Sequence, residues 1–286
     1  MKRLKSICIV LTSCLITVAC TFSNKNSPFV DWAPKKFVLT DTKETPSFRL
    51  NEPHKLDLSS YSREPSEWGE FVTGVKTKLD TNEKVLALTF DACGGPFGSE
   101  IDHELIEFLV NEEIPSTLFV NARWIDENKD TFLELATNPL FQIENHGTEH
   151  KPLSINGRSA WGIQGTTSPE EALNEIMINQ QLIFQLTDKY PTMFRSGTAY
   201  FDDVSVGMLT ELNLKAVNYS LLGDAGATYS AKQVENALID GARPGAIALL
   251  HMNQPKSGTT EGIKKAIPQL LEQGFSFVQL TDYPLK

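Results

Sequence analysis

The chain has 286 residues, 41% hydrophobic and 22% charged, the composition of an ordinary globular protein with enough apolar mass for a sizeable core. Its formal charge of −10 argues against a nucleic-acid partner, whose phosphates favour a basic face.

The N-terminus reads as a targeting segment. Lys2, Arg3 and Lys5 precede an uncharged apolar stretch from Ile7 to Ala19, shorter than the roughly 20 residues that span a bilayer. Val18-Ala19-Cys20 follows and resembles a bacterial lipoprotein signal, in which Cys20 becomes the lipidated first residue. An ordinary cleaved signal peptide is the alternative. Either reading predicts export, and the first a lipid anchor in a membrane at the cell envelope. Removing residues 1–19 would leave 23 basic against 36 acidic residues, a formal −13. Cys93 would then be the only cysteine besides the acylated one, so no intramolecular disulfide is expected.

Residues 20–52, rich in Ser, Thr, Asn, Pro and Lys, read as a tether. Residues 53–84 read as an N-terminal extension whose Trp68 and Phe71 could pack on the main domain. From Val85 to Lys286 strand and helix signals alternate. Val85–Phe90 is a buried-strand run, and Ser99–Glu112 is helical with Ile101, Leu105, Phe108 and Leu109 on one face. Ser116–Val120 is the next strand and Asp130–Thr137 the next helix. Ser168-Pro169-Glu170-Glu171 combines an N-cap, a proline at the first position and a capping glutamate, a strong helix start. Later strands are predicted at Leu214–Tyr219, Ala246–Leu250 and Ser276–Leu280. Helices are predicted at Val204–Leu212, Ala231–Asp240 and Gly262–Gln273. The alternation predicts an α/β fold of parallel strands covered by helices, as a barrel or a doubly wound sheet.

Polar residues gather just after these strands. Asp91 ends the first, His146 and His150 follow Phe141-Gln142-Ile143, Arg195 follows Thr192-Met193-Phe194, Asp224 follows the Tyr219 region, and His251 ends the Ala246 strand. Strand C-termini share one face of an α/β barrel, and that face carries the active site. His146 and His150 are spaced to grip one metal ion from a turn. Singly, Asp91 could cap a turn, His251 could be a core histidine and Arg195 could close a surface ion pair. Their joint placement points to an enzyme.

With these residues assembled, the chain resembles the polysaccharide deacetylase family, the NodB-homology domain of carbohydrate esterase family four. The resemblance covers roughly Val85 to Lys286. Its motifs are Thr89-Phe90-Asp91-Ala92-Cys93-Gly94, His146-x-x-x-His150, Arg195 with Tyr200, a loosely matched Asp224 lacking the usual tryptophan, and Leu249-Leu250-His251. The resemblance implies a distorted (β/α) barrel. It implies that Asp91 is the general base toward a water activated by a divalent metal, usually zinc, and that His251 is the general acid. Arg195 would orient Asp91, Asp224 would keep His251 protonated, and Tyr200 would lie at the substrate. The bond cleaved would be the acetamide of an N-acetylhexosamine polymer.

One position departs from the family. The metal-binding aspartate that follows the catalytic one is Ala92 here. Three replacements are open: Asp102, which also fits a helix-cap pattern; Cys93, whose thiolate would suit zinc; and Asp91 acting twice. The loop from Leu153 to Thr167 carries Trp161, which reads as a sugar-stacking rim or as a cover over core. The leading expectation is a lipid-anchored, metal-dependent N-deacetylase of a peptidoglycan- or chitin-like polymer. The alternatives are a hydrolase of a small non-sugar amide and a non-catalytic carbohydrate-binding relative.

Overall fold

The computed structural model describes residues 56–286; the predicted signal, Cys20 and the tether lie outside the described residues. In chain order the elements are β1 Trp68–Gly69, β2 Val85–Ala92, α1 His103–Asn111, β3 Ser116–Val120, α2 Ala122–Glu127, α3 Lys129–Thr137, β4 Phe141–Asn145, α4 Pro169–Thr187, β5 Met193–Phe194, β6 Phe201–Asp202, α5 Asp203–Glu211, β7 Lys215–Ala216, β8 Leu221–Leu222, α6 Ala231–Gly241, β9 Ala246–His251, α7 Thr259–Glu272 and β10 Ser276–Phe277.

Seven strands form one curled parallel sheet in the order β7-β5-β4-β3-β2-β9-β8, and β10 joins the start of β2. Among the described residues no ladder joins β7 to β8; the chain itself crosses that gap. The architecture is thus a half-barrel jacketed by helices. β2 is buried along its whole length, as expected of a central parallel strand covered on both faces.

Alternation along β2 sorts its side chains into two layers. Leu86, Leu88, Phe90 and Ala92 face the helices and pack with Leu105, Leu118, Trp124, Leu250, Ile263 and Leu270. Val85 and Ala87 face the barrel interior with Phe119, Val217, Ile247 and Leu249. Thr89 and Asp91 continue that inward face toward the C-terminal end. Residues 85–91 and the strands around them therefore aim every second side chain at the mouth of the barrel.

The helix predicted from Ser99 begins at His103, because the Asp102 side chain accepts the Leu105 N–H and caps it. Ser168 caps α4 through the Glu171 N–H with Pro169 in the first turn. The predicted strand from Leu214 to Tyr219 is only the two-residue β7, since Val217 to Ser220 crosses the open side of the sheet. The 56–84 segment is woven into the domain: β1 pairs antiparallel with β6, and Lys76, Lys78 and Leu79 bridge to Val217, Ala246 and Leu285.

Candidate active site

Parallel register brings the functional side chains to one end. Leu86–Asp91 of β2 runs beside Ala246–His251 of β9, which makes Asp91 and His251 direct partners. β4 ends at Asn145, so His146 is the first residue past its strand, and its N–H still donates to Val120 of β3. Arg195 follows β5 in the same way, its N–H donating to Asn145.

Arg195 is fully buried, and Asp91 is 3% exposed. Nη1 of Arg195 donates to Oδ1 of Asp91 at 2.7 Å, Nε to the Val217 carbonyl at 3.3 Å and Nη2 to the Asn218 carbonyl at 3.1 Å. The guanidinium also lies 4.1 Å from the centre of the Phe119 ring, a cation–π contact that suits a desolvated cation. Burial works against the Asp91 charge, but Arg195 and then His146 and His251 outweigh it and hold the carboxyl below its ordinary range. A buried, ionised carboxylate with one oxygen engaged is equipped to accept a proton.

Asp224 sits just beyond β8 and is fully buried. Oδ1 accepts from His251 Nδ1 at 2.9 Å, and Oδ2 accepts the His251 N–H at 2.7 Å and the Thr259 hydroxyl at 3.0 Å. Burial alone would discharge His251, yet Asp224 overrides it and raises the imidazole well above its ordinary value. Nδ1 is occupied by Asp224, so Nε2 is the nitrogen left to deliver a proton.

The histidine turn is built from its backbone. Nδ1 of His146 donates to the Arg195 carbonyl at 2.9 Å, which fixes the tautomer and leaves the Nε2 lone pair for a ligand. His150 stands edge-on to His146, ring centres 5.0 Å apart, at a left-handed φ of 60°. Gly197 makes this possible, because a Cβ there would collide with the His150 backbone. Gly147, at φ 79°, lies against Glu175, whose carboxylate a Cβ would strike.

A divalent metal is implied by the resemblance, and the donors present fit one. Cys93 Sγ and one imidazole nitrogen each of His146 and His150 lie within 4.8 Å of one another. Nε2 of His150 is buried with no hydrogen-bond partner in the protein, a condition that native structures rarely tolerate unless a ligand meets it. Burial opposes the Cys93 thiolate, but His150, His146 and His251 outweigh it and hold the thiol well below its ordinary value. Asp102 does not join this group. It is 3% exposed, with Oδ1 capping α1 and Oδ2 accepting the Thr260 hydroxyl at 2.5 Å. The expectation that it is a metal ligand is therefore corrected: its carboxylate is spent on the helix N-terminus.

Trp161 does not cover core. It is 75% exposed at the tip of a two-residue turn between Ala160 and Ile163, with φ of 54°, and meets the Tyr200 ring edge-on at 5.9 Å. Trp68 of β1 flanks the same ring at 5.6 Å, so Tyr200 is sandwiched in an aromatic ridge on the loop that packs against His150.

Sequence reasoning missed the residues that hold the loops. Asn121 donates to the His146 and Gly147 carbonyls, and its Oδ1 accepts from the Arg123 backbone and side chain. Arg123 in turn donates to the Cys93 carbonyl at 3.3 Å. Asn121 stands directly after β3, the same strand-end position that flagged the other site residues. Glu175 and Asn179 are polar residues in the buried stripe of α4, a signal readable in the sequence as polar breaks at core-facing spacing.

The model of the polysaccharide deacetylase family matches residues 78–217. A peptidoglycan-N-acetylglucosamine deacetylase of Bacillus cereus is 23% identical over 214 residues, 73% of this chain and 93% of that protein. A peptidoglycan-N-acetylglucosamine deacetylase of Listeria monocytogenes is 24% identical over 72% of this chain, which spans 40% of that longer protein. Among solved structures, a peptidoglycan N-acetylglucosamine deacetylase bound to an N-oxidanyl benzamide superposes with a TM-score of 0.64 at 22% identity, covering 73% of this chain and 92% of that one. A family 4 carbohydrate esterase pseudoenzyme from Bacillus anthracis superposes at 0.59 and 23% identity, covering 71% and 66%. Motif order and strand-end chemistry agree with the family match: the segment from 78 to 217, which carries Asp91, His146, His150 and Arg195, matches the polysaccharide deacetylase family, a family of hydrolases.

Proposed function

We infer that this protein is an exported, metal-dependent N-deacetylase that hydrolyses the acetamide of an N-acetylhexosamine polymer of the peptidoglycan or chitin type at the cell envelope. The observation that carries this reading is the pair of buried counter-ions on neighbouring strands: Arg195 on Asp91 at 2.7 Å and Asp224 on His251 at 2.9 Å, arranged to favour an ionised base beside a protonated acid. A binding protein has no use for such a pair.

His146 and His150, with a third donor, would hold a divalent ion, zinc being the family's usual one. When bound, that ion supplies Lewis acidity to the acetamide carbonyl and acidifies the attacking water. Asp91 would accept a proton from the attacking water at Oδ2, the oxygen that Arg195 leaves unpaired. His251 protonates the leaving amine from Nε2, and the Asp224 carboxylate stabilises the imidazolium until then. Arg195 keeps Asp91 oriented throughout. The ridge of Trp68, Tyr200 and Trp161 supports a sugar polymer over a small amide, because an exposed indole face such as that of Trp161 stacks on pyranose rings. Export and a lipid anchor rest on Val18-Ala19-Cys20; labelled palmitate entering the wild type and not Cys20→Ser would test the anchor.

A second reading, a non-catalytic carbohydrate-binding relative, draws on Ala92 and on the pseudoenzyme among the structural neighbours. Metal analysis of the purified protein, alongside acetate release from acetylated chitin oligomers and peptidoglycan, separates the two. One divalent ion per chain with acetate released supports the deacetylase; no acetate from any of these substrates sinks it.

A further inference from the structure

We propose that Cys93 is the third metal ligand, binding as a thiolate, so that the centre is a Cys93–His146–His150 set in which sulfur stands where relatives use a carboxylate. This rests on the metal-dependent reading above and deepens it.

Ala92 shows why the ligand moved. Its side chain belongs to the helix-facing layer and is fully buried among Phe90, Val120 and Leu250, so this position turns away from the barrel mouth. The next residue leaves the strand and turns its sulfur toward the histidines. Among the described residues no carboxylate completes a set with both histidines: Asp91 gives Oδ1 to Arg195 and holds Oδ2 3.6 Å from His146 Nε2 without grouping with His150, and Asp102 is engaged by α1 and Thr260.

The spacing suits one ion. Zinc–sulfur and zinc–nitrogen bonds of about 2.3 and 2.0–2.1 Å put neighbouring donors about 3.6 Å apart around a tetrahedral centre. Cys93 Sγ and His146 Nε2 are 3.9 Å apart, so closure needs a few tenths of an ångström. His146 has its tautomer set by the Arg195 carbonyl, and the buried His150 Nε2 lacks any partner. One network ties the two ligand segments: Asn121 grips the His146 and Gly147 carbonyls and also Arg123, which grips the Cys93 carbonyl. Past Cys93, the loop is closed by Gly94 N–H to Gly98 and pinned by Asn253.

A thiolate carries the same −1 charge as the lost carboxylate, so the ion meets an unchanged ligand charge. Softness does change: sulfur favours zinc and cobalt over magnesium, calcium and manganese.

The test uses the full chain, stripped of metal and reloaded with one equivalent of cobalt(II). The wild type is expected to show an intense near-ultraviolet thiolate-to-cobalt charge-transfer band. Cys93→Ser and Cys93→Asp should lose it, with Cys93→Asp still binding cobalt. Chelator competition should show zinc binding at least about ten-fold weaker in Cys93→Ser. A wild type that binds no cobalt, binds it without the band, or shares the band with Cys93→Ser overturns the proposal. Acetate release is scored separately: turnover without a sulfur–cobalt band removes the thiolate ligand and leaves the deacetylase, whereas the band without turnover does the reverse.

Discussion

Asp91 and His251 are register partners on adjoining parallel strands, so the proposed base and acid stand about one strand spacing apart, roughly 4.8 Å at the backbone. A substrate carbon poised at the barrel mouth is flanked by both. Each has its own buried counter-ion on a different segment, Arg195 after β5 and Asp224 after β8. The two partners push the paired groups in opposite directions, which is how one site holds an acid and a base together.

Removing one counter-ion should therefore move one limb of the pH–rate profile. In Asp224→Asn the imidazolium loses the carboxylate that raises it, and burial then favours the neutral ring. The basic limb of kcat should shift to lower pH while the acidic limb stays. His251→Ala should lower kcat by roughly 10²–10⁴-fold, the range for a lost general acid, with zinc binding retained. An Asp224→Asn profile that overlays the wild type would remove the proposed role of Asp224.

Arg195 is expected to matter for folding as well as chemistry. Arg195→Met strands the Asp91 carboxylate in the interior, and breaking a buried pair from one side costs about 3–5 kcal/mol. Urea denaturation should register this loss. Asp91 should also protonate more readily, moving the acidic limb of activity upward. Adding Asp91→Leu to Arg195→Met should restore part of the stability, because the uncompensated charge is gone. A double variant no more stable than Arg195→Met would refute this account.

Strand ends carried most of what the sequence revealed. β2, β3, β9 and α3–α7 were legible because their apolar periods are unbroken or their caps are explicit, as at Ser168-Pro169. The two-residue strands β1, β6 and β8 were too short to leave a pattern; neighbours in the folded sheet define them. Asp102 illustrates a different limit: one carboxylate fits both a cap and a ligand by spacing, and only its contacts with Leu105 and Thr260 decide. Cys93 was readable as a donor type, but not that the side chain of Ala92 turns to the helix layer. Asn121 is marked by its strand-end position and Glu175 by its core-facing spacing, but the loop contacts they make lie 24 to 27 residues away, which no local pattern reveals.

Glu175 is such a case with a measurable consequence. Its carboxylate takes the N–H groups of Thr148, Glu149 and Lys151, bracketing His150. Glu175→Ala frees that turn and should weaken zinc binding by about ten-fold or more, the usual effect of losing a group that orients a ligand. Burial raises the Glu175 carboxyl from 4.5 to about 7, only partly offset by those N–H donors. The folded chain thus keeps a proton that the unfolded chain has released between these values. Stability falls as pH rises through that window, by on the order of 3 kcal/mol from this group. Glu175→Gln should abolish that component of the slope in metal-free protein, read from urea midpoints at several pH values; an unchanged slope would contradict it.

Trp161 separates recognition from folding. It occupies a left-handed backbone position that costs a non-glycine residue roughly 1–2 kcal/mol, yet it is 75% exposed and contributes little to the core. Strain kept without burial is expected where the side chain serves binding. Trp161→Gly relieves the backbone and should raise stability by about 1 kcal/mol, while removing the outer face of the ridge built on Tyr200. For a polymer substrate KM should rise severalfold with kcat little changed, since stacking holds ground state and transition state alike. If Trp161 stacks on a neighbouring sugar of the polymer, a single acetylated sugar should show no difference. If the variant loses stability, or if KM rises equally for monomer and polymer, Trp161 is serving the fold or the reaction centre and not an extended sugar chain.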